Sequence, residues 1–181
     1  MLVKLDLAKA YDRLNWDYLQ GILKAFSFYA RWISWIMSMV TTPVLSIMLN
    51  GSPTNAFNAT RGLIQGDPLS PFLFILVVEG LGRYIEEKVQ SEQYIGLRLW
   101  GNDLPLTHQQ FIDDIIMYGQ ASLKEARKIM EILSDFTSTS GTEINKDKSD
   151  IFFFNTTTPS QVMGFRIGNF AMKYLGIQLN D

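Results

Sequence analysis

The chain has 181 residues, of which 47% are hydrophobic, 13% aromatic and 19% charged, and this supply of apolar side chains excludes a disordered protein. It has no cysteine and one histidine, which excludes a disulfide scaffold and thiolate or histidine-rich metal sites, so any metal ion must be held by oxygen. The net charge of −2 differs from the basic balance expected of a free-standing nucleic-acid-binding protein.

The first third of the chain has the pattern of a strand, two helices and a hairpin. Residues 2–7, LVKLDL, predict a short buried strand that ends beside an acid. Apolar residues at helical spacing predict helices over 16–30 and 31–40. Asn50-Gly51 separates two apolar runs, and this dipeptide favours the tight turn of a β-hairpin between 44–49 and 55–60.

A stretch of 29 residues, 32–60, carries no charge and raises the question of a membrane span. Serines, threonines, Pro43 and the Asn50-Gly51 turn interrupt it, so no continuous apolar span of about 18 residues exists. Lys4 and Asp6 lie where a signal peptide would need an apolar stretch. The sequence therefore predicts neither a membrane segment nor a signal peptide, and it leaves the cellular location open.

The rest of the chain predicts two longer helices and several strands. A loop rich in glycine and proline opens into a helix over 69–89, and 124–136 predicts an amphipathic helix. Strands are predicted between 95 and 119 and within 140–154, and the tail, 165–179, predicts a final hairpin around Asn169. This irregular order predicts one α+β domain with an antiparallel sheet and helices packed on one face.

Adjacent acids at Asp113 and Asp114 are the sharpest chemical feature of the sequence. They lie between two predicted strands with no basic residue beside them. A solvated turn is the commoner explanation of such a pair by itself, and the apolar strands on both sides are what favours a site. Asp6, at the end of the first predicted strand, would meet them if the two strands pair; the alternative for Asp6 is an ordinary strand-end acid. Three carboxylates that close repel one another unless cations intervene, and Mg²⁺ prefers oxygen ligands.

Five motifs follow one another along the chain: LDLAKAYDRLNW (5–16), RGLIQGDPLSPFLFIL (61–76), FIDD (111–114), INKDKS (144–149) and YLG (174–176). In this order and spacing they resemble the palm motifs of reverse transcriptases, most of all those of plant non-LTR (LINE-type) retrotransposons. The resemblance implies a polymerase palm and an RNA-directed DNA polymerase that transfers nucleotides from deoxynucleoside triphosphates to a DNA primer on an RNA template. It also implies two Mg²⁺ ions as cofactors, which Mn²⁺ can replace.

The resemblance assigns the three acids and one aromatic residue. Asp6, Asp113 and Asp114 would be catalytic residues and metal ligands. Tyr11 would lie beneath the nucleotide sugar, where a bulky ring leaves no space for the 2′-hydroxyl that distinguishes RNA precursors. The alternative for Tyr11 is an ordinary packed aromatic side chain.

The loop motif, RGLIQGDPLSP, would contact the substrate through Arg61, Gln65 and Gly66. Glycine lets the backbone approach a ligand closely, and the resemblance places Gln65 and Gly66 against the nucleotide and template. A loop-to-helix entry with Asp67 or Ser70 as the cap explains part of the same segment. This second interpretation leaves the Gln65-Gly66 pair unexplained.

Two further motifs receive roles from the resemblance. Lys148 would protonate the pyrophosphate leaving group as a general acid, with Lys146 as a competitor and a charged turn as the alternative. Tyr174, Leu175 and Gly176 would belong to the hairpin that holds the primer end. His108, alone in a predicted strand, is expected to be structural.

By the same resemblance, residues 1–181 cover the palm alone, without the fingers that precede it, the thumb that follows it or the upstream endonuclease. We therefore expect little polymerase activity from this chain by itself. Two alternatives stay open: a catalytically silent retrotransposon remnant, and an α+β nucleic-acid-binding module with exposed aromatic and basic residues on a sheet face.

Overall fold

The computed structural model describes residues 1–98, 105–153, 163–168, 172–174 and 177–179. Its strands are β1 (Leu2–Asp6), β2 (Val44–Leu45), β3 (Met48–Leu49), β4 (Ser52–Pro53), β5 (Phe57–Asn58), β6 (His108–Phe111), β7 (Asp114–Tyr118), β8 (Asp150–Phe152), β9 (Arg166–Ile167), β10 (Met172–Tyr174) and β11 (Ile177–Leu179). Its helices are α1 (Ala10–Arg13), α2 (Trp16–Ala25), α3 (Ala30–Thr41), α4 (Ser70–Gln90) and α5 (Leu123–Ser140).

A five-stranded sheet with the order β6-β7-β1-β8-β9 organises the fold. β1 is central and pairs antiparallel with β7 on one side and β8 on the other. β6 pairs antiparallel with β7, whereas β9 pairs parallel with β8. The prediction of an antiparallel sheet is therefore correct for every pair but the last, and the sheet is mixed.

Side-chain alternation along β1 assigns its residues to two faces of the sheet. Val3 and Leu5 are fully buried in the main core, which also contains residues of α2, α3, α4 and α5. Leu2, Lys4 and Asp6 lie on the opposite face because successive side chains of a strand point in opposite directions. The predicted α+β class, with helices on one face of the sheet, is confirmed.

Local signals explain where α5 begins and ends. Ser122 caps its first turn, since its hydroxyl accepts a hydrogen bond from the Glu125 N–H at 3.2 Å. Gly141 ends it with a φ of 75°, in the left-handed region that glycine adopts readily. The sequence predicted an end at residue 136, the last apolar position of the repeat, but the polar residues that follow remain helical up to this glycine.

Two other predictions need correction, and one short helix was not predicted. The helix predicted over 16–30 ends at Ala25, and Ser27 has a φ of 59°, which interrupts helical geometry before α3 begins. α1 was not predicted, because four residues are too few to show periodicity. The tail hairpin pairs β10 with β11, with Tyr174 opposite Ile177, so it is not centred on Asn169, which lies outside the described residues.

The predicted turn at Asn50-Gly51 is confirmed. Both residues have positive φ angles, 50° and 80°, as the tight turn between β3 and β4 requires. β2 and β5 continue the same hairpin towards α3 and α4. Among the described residues, no helix is both long and apolar enough to cross a membrane.

Candidate functional site

The three predicted acids lie at one end of the central sheet, which we call the acid edge (Asp6, Asp113 and Asp114). Asp6 and Asp114 are direct partners in the β1–β7 register, so their side chains leave the same face of the sheet. That face is the one opposite the helices. Asp113 lies in the two-residue connection between β6 and β7, and its carbonyl accepts a hydrogen bond from the Leu7 N–H at 3.2 Å.

Charges around Asp114 show how closely the groups of the acid edge interact. Burial is the largest cause of the raised pKa of the Asp114 carboxyl, because it disfavours the ionised form. The carboxylates of Asp113 and Asp6 raise this pKa further by repulsion. Lys4 and Lys148 act in the opposite direction and lower it. The acid edge is thus a cluster of mutually repelling carboxylates bordered by two ammonium groups.

The donor chemistry of the acid edge fits a hard divalent cation. Its donors are carboxylate oxygens, which suit Mg²⁺ and Mn²⁺ rather than softer metals. Within the part of the chain that the structure describes, no three acidic, histidine or cysteine side chains are close enough to form a complete metal-binding group. Magnesium commonly takes only one or two carboxylates and fills the remaining positions with water and substrate phosphates, so partial coordination by protein is the expected case.

The turn formed by residues 145–149 is hydrogen-bonded to the end of β1. The Asn145 N–H donates to the Asp6 carbonyl at 2.8 Å, and the Asp6 N–H donates to the Ser149 hydroxyl oxygen at 3.2 Å. The neighbouring Ala8 N–H donates to the Glu143 carbonyl at 2.7 Å. The motif INKDKS is therefore placed directly beside the acid edge.

The two lysines of this turn occupy different surroundings. Lys148 is exposed and close enough to Asp114 to lower the pKa of that carboxyl. Lys146 instead lines an open groove between the turn and α5, together with Met130 and Thr137 of that helix. Of these two lysines, Lys148 is the one whose charge acts on Asp114 of the acid edge.

Tyr11 lies on α1, between the acid edge and the core. Its ring stacks on Phe74 of α4 with centroids 4.8 Å apart and an interplanar angle of 23°. Burial is the main cause of the raised pKa of the Tyr11 hydroxyl, and the charge of Asp113 raises it further. The ring is therefore held against α4, and its hydroxyl interacts electrostatically with the Asp113 carboxylate of the acid edge.

The loop before α4 is fixed at one glycine and open at another. Gly62 has a φ of 87°, and a Cβ atom there would lie 2.5 Å from the Asp12 carbonyl oxygen. The Trp16 indole N–H donates to the Gly62 carbonyl at 2.7 Å, and the Leu63 N–H donates to the Tyr11 carbonyl at 2.8 Å. These contacts anchor the loop to α1 and to the first residue of α2.

Beyond this anchor, the predicted substrate-binding residues Arg61, Gln65 and Gly66 are exposed. Gly66 has a φ of 90° with no neighbouring atom within 4 Å of a Cβ built there, so its backbone is accessible. Arg61 and Gln65 line a cleft of about 290 Å³ with Asp12. Asp67 accepts a hydrogen bond from the Leu69 N–H at 2.7 Å and so supports the helix entry, whereas Ser70 is the first residue of α4 rather than its cap.

The predicted primer-binding motif is only partly described. The backbone of Tyr174 belongs to β10 and pairs with Ile177 of β11. Leu175 and Gly176 lie outside the described residues, so their assignment stays a prediction. His108, expected to be structural, lies half-buried on β6, and its Nδ1 is 2.9 Å from the Thr107 hydroxyl.

Three residues of this region were missed by the sequence analysis. Lys4 shares the face of Asp6, and the alternation of LVKLDL carries the signal that places it there. The hydroxyl oxygen of the fully buried Ser149 accepts a hydrogen bond from the Asp6 N–H. The sequence signal for Ser149 is its position directly after Lys148, the predicted general acid. Gly62 is required by an atom of Asp12, about fifty residues away, for which the sequence holds no signal.

Comparison with known proteins identifies the family to which the motifs point. Residues 1–179 match the family described as reverse transcriptase (RNA-dependent DNA polymerase). The chain is 29% identical over 149 residues to the transposon TX1 uncharacterized 149 kDa protein of Xenopus laevis, which covers 81% of this chain and 11% of that protein. It is 27% identical over 147 residues to the retrovirus-related Pol polyprotein from the type-2 retrotransposable element R2DM of Drosophila melanogaster, covering 81% of this chain and 13% of that protein.

A solved structure shares the fold. The telomerase of Candida albicans, in complex with the TWJ fragment of telomeric RNA, matches 99% of this chain and 29% of its own length with a TM-score of 0.70. At 16% sequence identity, the likeness concerns the fold alone. The chain thus spans between about a tenth and a third of the proteins that it matches here.

Proposed function

Since the chain belongs to the reverse transcriptase (RNA-dependent DNA polymerase) family, we propose that it is the palm of an RNA-directed DNA polymerase of a LINE-type element. The reaction would transfer a nucleotide from a deoxynucleoside triphosphate to the 3′ end of a primer. The similarity to the Pol polyprotein of a retrotransposable element and to a telomerase structure supports an RNA template as the partner.

One observation carries this proposal: Asp6 and Asp114 are direct register partners, with Asp113 in the adjoining turn. Members of the family generally use divalent metal ions. Here Asp6 and Asp113 would be the principal ligands and Asp114 would complete the set, the ions being two Mg²⁺ or, in their place, Mn²⁺. When bound, such ions would offset the repulsion among the carboxylates and neutralise charge on the reacting phosphate.

The remaining residues would hold the substrate and move one proton. Arg61, Gln65 and the accessible backbone of Gly66 would contact the nucleotide and template at the cleft before α4. The ammonium group of Lys148 would donate a proton to the pyrophosphate as it leaves and stabilise the charge that develops there. Tyr174, Leu175 and Gly176 would hold the primer end.

Cation binding tests the metal part of the proposal in the chain as it exists. We expect the parent chain to bind Mn²⁺, measured by electron paramagnetic resonance, and Asp113→Asn to lose most of this affinity because a ligand carboxylate is removed. Asp17→Asn is the matched control, since Asp17 is an exposed acid on α2, away from the acid edge. Equal Mn²⁺ affinity in Asp113→Asn and the parent would contradict the metal assignment.

Primer extension tests the catalytic part. In the longest protein that contains residues 1–181 in frame, we expect Asp113→Asn to lower the rate of Mg²⁺-dependent extension by about 100-fold or more, as loss of a group that stabilises transition-state charge typically does. Template binding should be retained, because affinity for nucleic acid comes mainly from contacts to phosphates. Equal extension rates would refute the assignment, and a parent protein without activity would favour the silent remnant.

Discrimination against ribonucleotides tests Tyr11. Its ring is held by Phe74 near Asp113, so we propose that it blocks the space that a 2′-hydroxyl would need. Tyr11→Ala should admit ribonucleotides, whereas Tyr11→Phe, which retains the ring, should discriminate as the parent does. Unchanged discrimination in Tyr11→Ala would remove Tyr11 from this role.

A further inference from the structure

The N–H group of Asp6, on the side away from β7, is bound by a side chain rather than by a strand. The β1–β8 register ends at the pair Lys4–Asp150, two residues before Asp6. Beyond that point, the Asp6 N–H donates to the Ser149 hydroxyl oxygen at 3.2 Å. Ser149 thus replaces the ladder hydrogen bond that a longer β8 would have supplied.

The Ser149 hydroxyl is fixed in both of its hydrogen-bonding roles. It accepts from the Asp6 N–H and donates to the Asn145 carbonyl at 2.7 Å. The side chain is fully buried, so water does not compete for either bond. Asn145 in turn donates its N–H to the Asp6 carbonyl at 2.8 Å, which closes a ring of hydrogen bonds around Asp6.

This ring joins the two chemical groups of the proposed site. Asp6 lies on one side of it, and Lys148 belongs to the same turn, with its N–H donating to the Asn145 carbonyl at 3.2 Å. Asn145 and Ser149 therefore fix the acid-bearing end of β1 and the lysine-bearing turn as a single unit. A catalytic group misplaced by about 1 Å can lose about 100-fold in rate, so such a connection affects chemistry as well as folding.

We propose that Ser149 is a positioning residue, whose hydroxyl holds Asp6 and the Lys148 turn in register for cation binding and nucleotidyl transfer. The inference rests on the proposed function, and it adds a residue that acts through Asp6 without touching the substrate. Partners that orient metal ligands typically matter by about 10- to 100-fold in metal affinity.

A buried serine elsewhere in the chain provides a matched control. Ser140 is also fully buried, and its hydroxyl is 2.7 Å from that of Thr142. Its side chain makes no described contact with Asp6. Loss of either hydroxyl should cost similar stability, so a difference between Ser149→Ala and Ser140→Ala in cation affinity reports positioning rather than folding.

The experiment measures Mn²⁺ affinity by electron paramagnetic resonance and amide hydrogen exchange at Asp6 by NMR, using the full chain. We expect Ser149→Ala to weaken Mn²⁺ binding by about 10-fold or more and to speed exchange of the Asp6 amide. Ser149→Thr, which keeps the hydroxyl, should restore both properties, and Ser140→Ala should leave both near the parent values. If Ser149→Ala does not fold, Ser149→Cys replaces it, with a smaller loss expected because a thiol accepts hydrogen bonds weakly.

Unchanged Mn²⁺ affinity in the Ser149 variant, or an equal loss in Ser140→Ala, would overturn the positioning role. A parent chain that binds no Mn²⁺ in an Asp113-dependent manner would instead overturn the metal site of the proposed function. In that case, exchange at Asp6 still decides the present inference: an amide equally protected with and without the Ser149 hydroxyl would refute it.

Discussion

The two faces of the central sheet differ most at the end where the acids lie. On the helix-packed face, Val3 and Leu5 of β1 and Ile115 of β7 are fully buried in the main core. On the opposite face, the same strands carry Asp6 and Asp114 side by side. Side chains one residue apart thus serve different ends, because alternation along a strand sends them to opposite faces.

The first prediction compares substitutions at two neighbouring residues of β1, one on each face of the sheet. Leu5→Ala removes a fully buried side chain from the core, and we expect the free energy of unfolding to fall by about 2–5 kcal/mol. Lys4→Ala, one residue away on the opposite face, should change it by no more than about 0.5 kcal/mol. Urea unfolding followed by circular dichroism measures both. Similar losses for the two variants would show that the faces are not separated as described.

The two glycines of the loop before α4 differ in the same way: Gly62 supports the fold, and Gly66 is a predicted substrate contact. We expect Gly62→Ala to lower the free energy of unfolding by about 2–4 kcal/mol, since an added Cβ meets a positive φ and the Asp12 carbonyl. Gly66→Ala meets only the positive φ, so about 1–2 kcal/mol is expected.

Substrate binding should sharpen this second comparison. If Gly66 lies against the nucleotide, Gly66→Ala should raise the KM for deoxynucleotides more than Gly62→Ala does, although Gly66→Ala destabilises the fold less. Thermal unfolding and primer extension of both variants provide the measurements. A larger destabilisation by Gly66→Ala than by Gly62→Ala would contradict the assignment of Gly62 as the anchor.

Much of the acid edge could be predicted because its signals are local. The alternation in LVKLDL and the apolar runs around Asp113-Asp114 predict two strands that each meet an acid, and the register places Asp6 opposite Asp114. The four longer helices could be predicted by apolar periodicity, and the end of α5 would have followed from Gly141. In these segments the residues that determine the conformation are close together in sequence.

The remaining features depend on atoms that are distant along the chain. Position 62 must be glycine because a Cβ there would clash with the Asp12 carbonyl. The Ser149 hydroxyl binds the Asp6 N–H because the pairing of β8 with β1 stops at Lys4. The parallel pairing of β9 with β8 likewise depends on tertiary structure rather than on a local pattern. Composition and motif spacing do not indicate such contacts. The residues that support the site could therefore be predicted less well than its three acids.

The turn before Asp113 carries backbone strain that a substitution at Ile112 can relieve. Ile112 has a φ of 55°, in the left-handed region that costs a β-branched residue about 1–2 kcal/mol. Ile112→Gly removes this cost but adds unfolded-state entropy, so we expect a net stabilisation of about 0.5–1 kcal/mol. The side chain is exposed, so little packing is lost. Urea unfolding measures the change, and a destabilised Ile112→Gly variant would show that the turn is unstrained.

The smallest expected effect concerns the imidazole ring of His108, on the helix-packed side of the sheet. His108 pairs in register with Met117 of the core, and its Nε2 would lie 3.2 Å from a Cβ at Gly82 of α4. Burial lowers the pKa of His108 from its ordinary value of 6.5, while Glu86 and Glu79 oppose that shift by raising it. The folded state therefore binds this proton less readily than the unfolded state does.

The sign of the pH dependence follows from this difference. Well above pH 6.5 the ring is neutral in both states and does not affect stability. As the pH falls through 6.5 the unfolded state gains the proton first, so stability should fall as the pH drops. His108→Gln removes the chain's single histidine, and the acid edge contributes equally to both proteins, so its own pH dependence cancels in their difference. We expect thermal unfolding between about pH 7.5 and 5.5 to show a steeper loss of Tm in the parent than in His108→Gln. Parallel curves would mean that His108 is hydrated in the folded protein, and that the helix-packed face admits water beside α4.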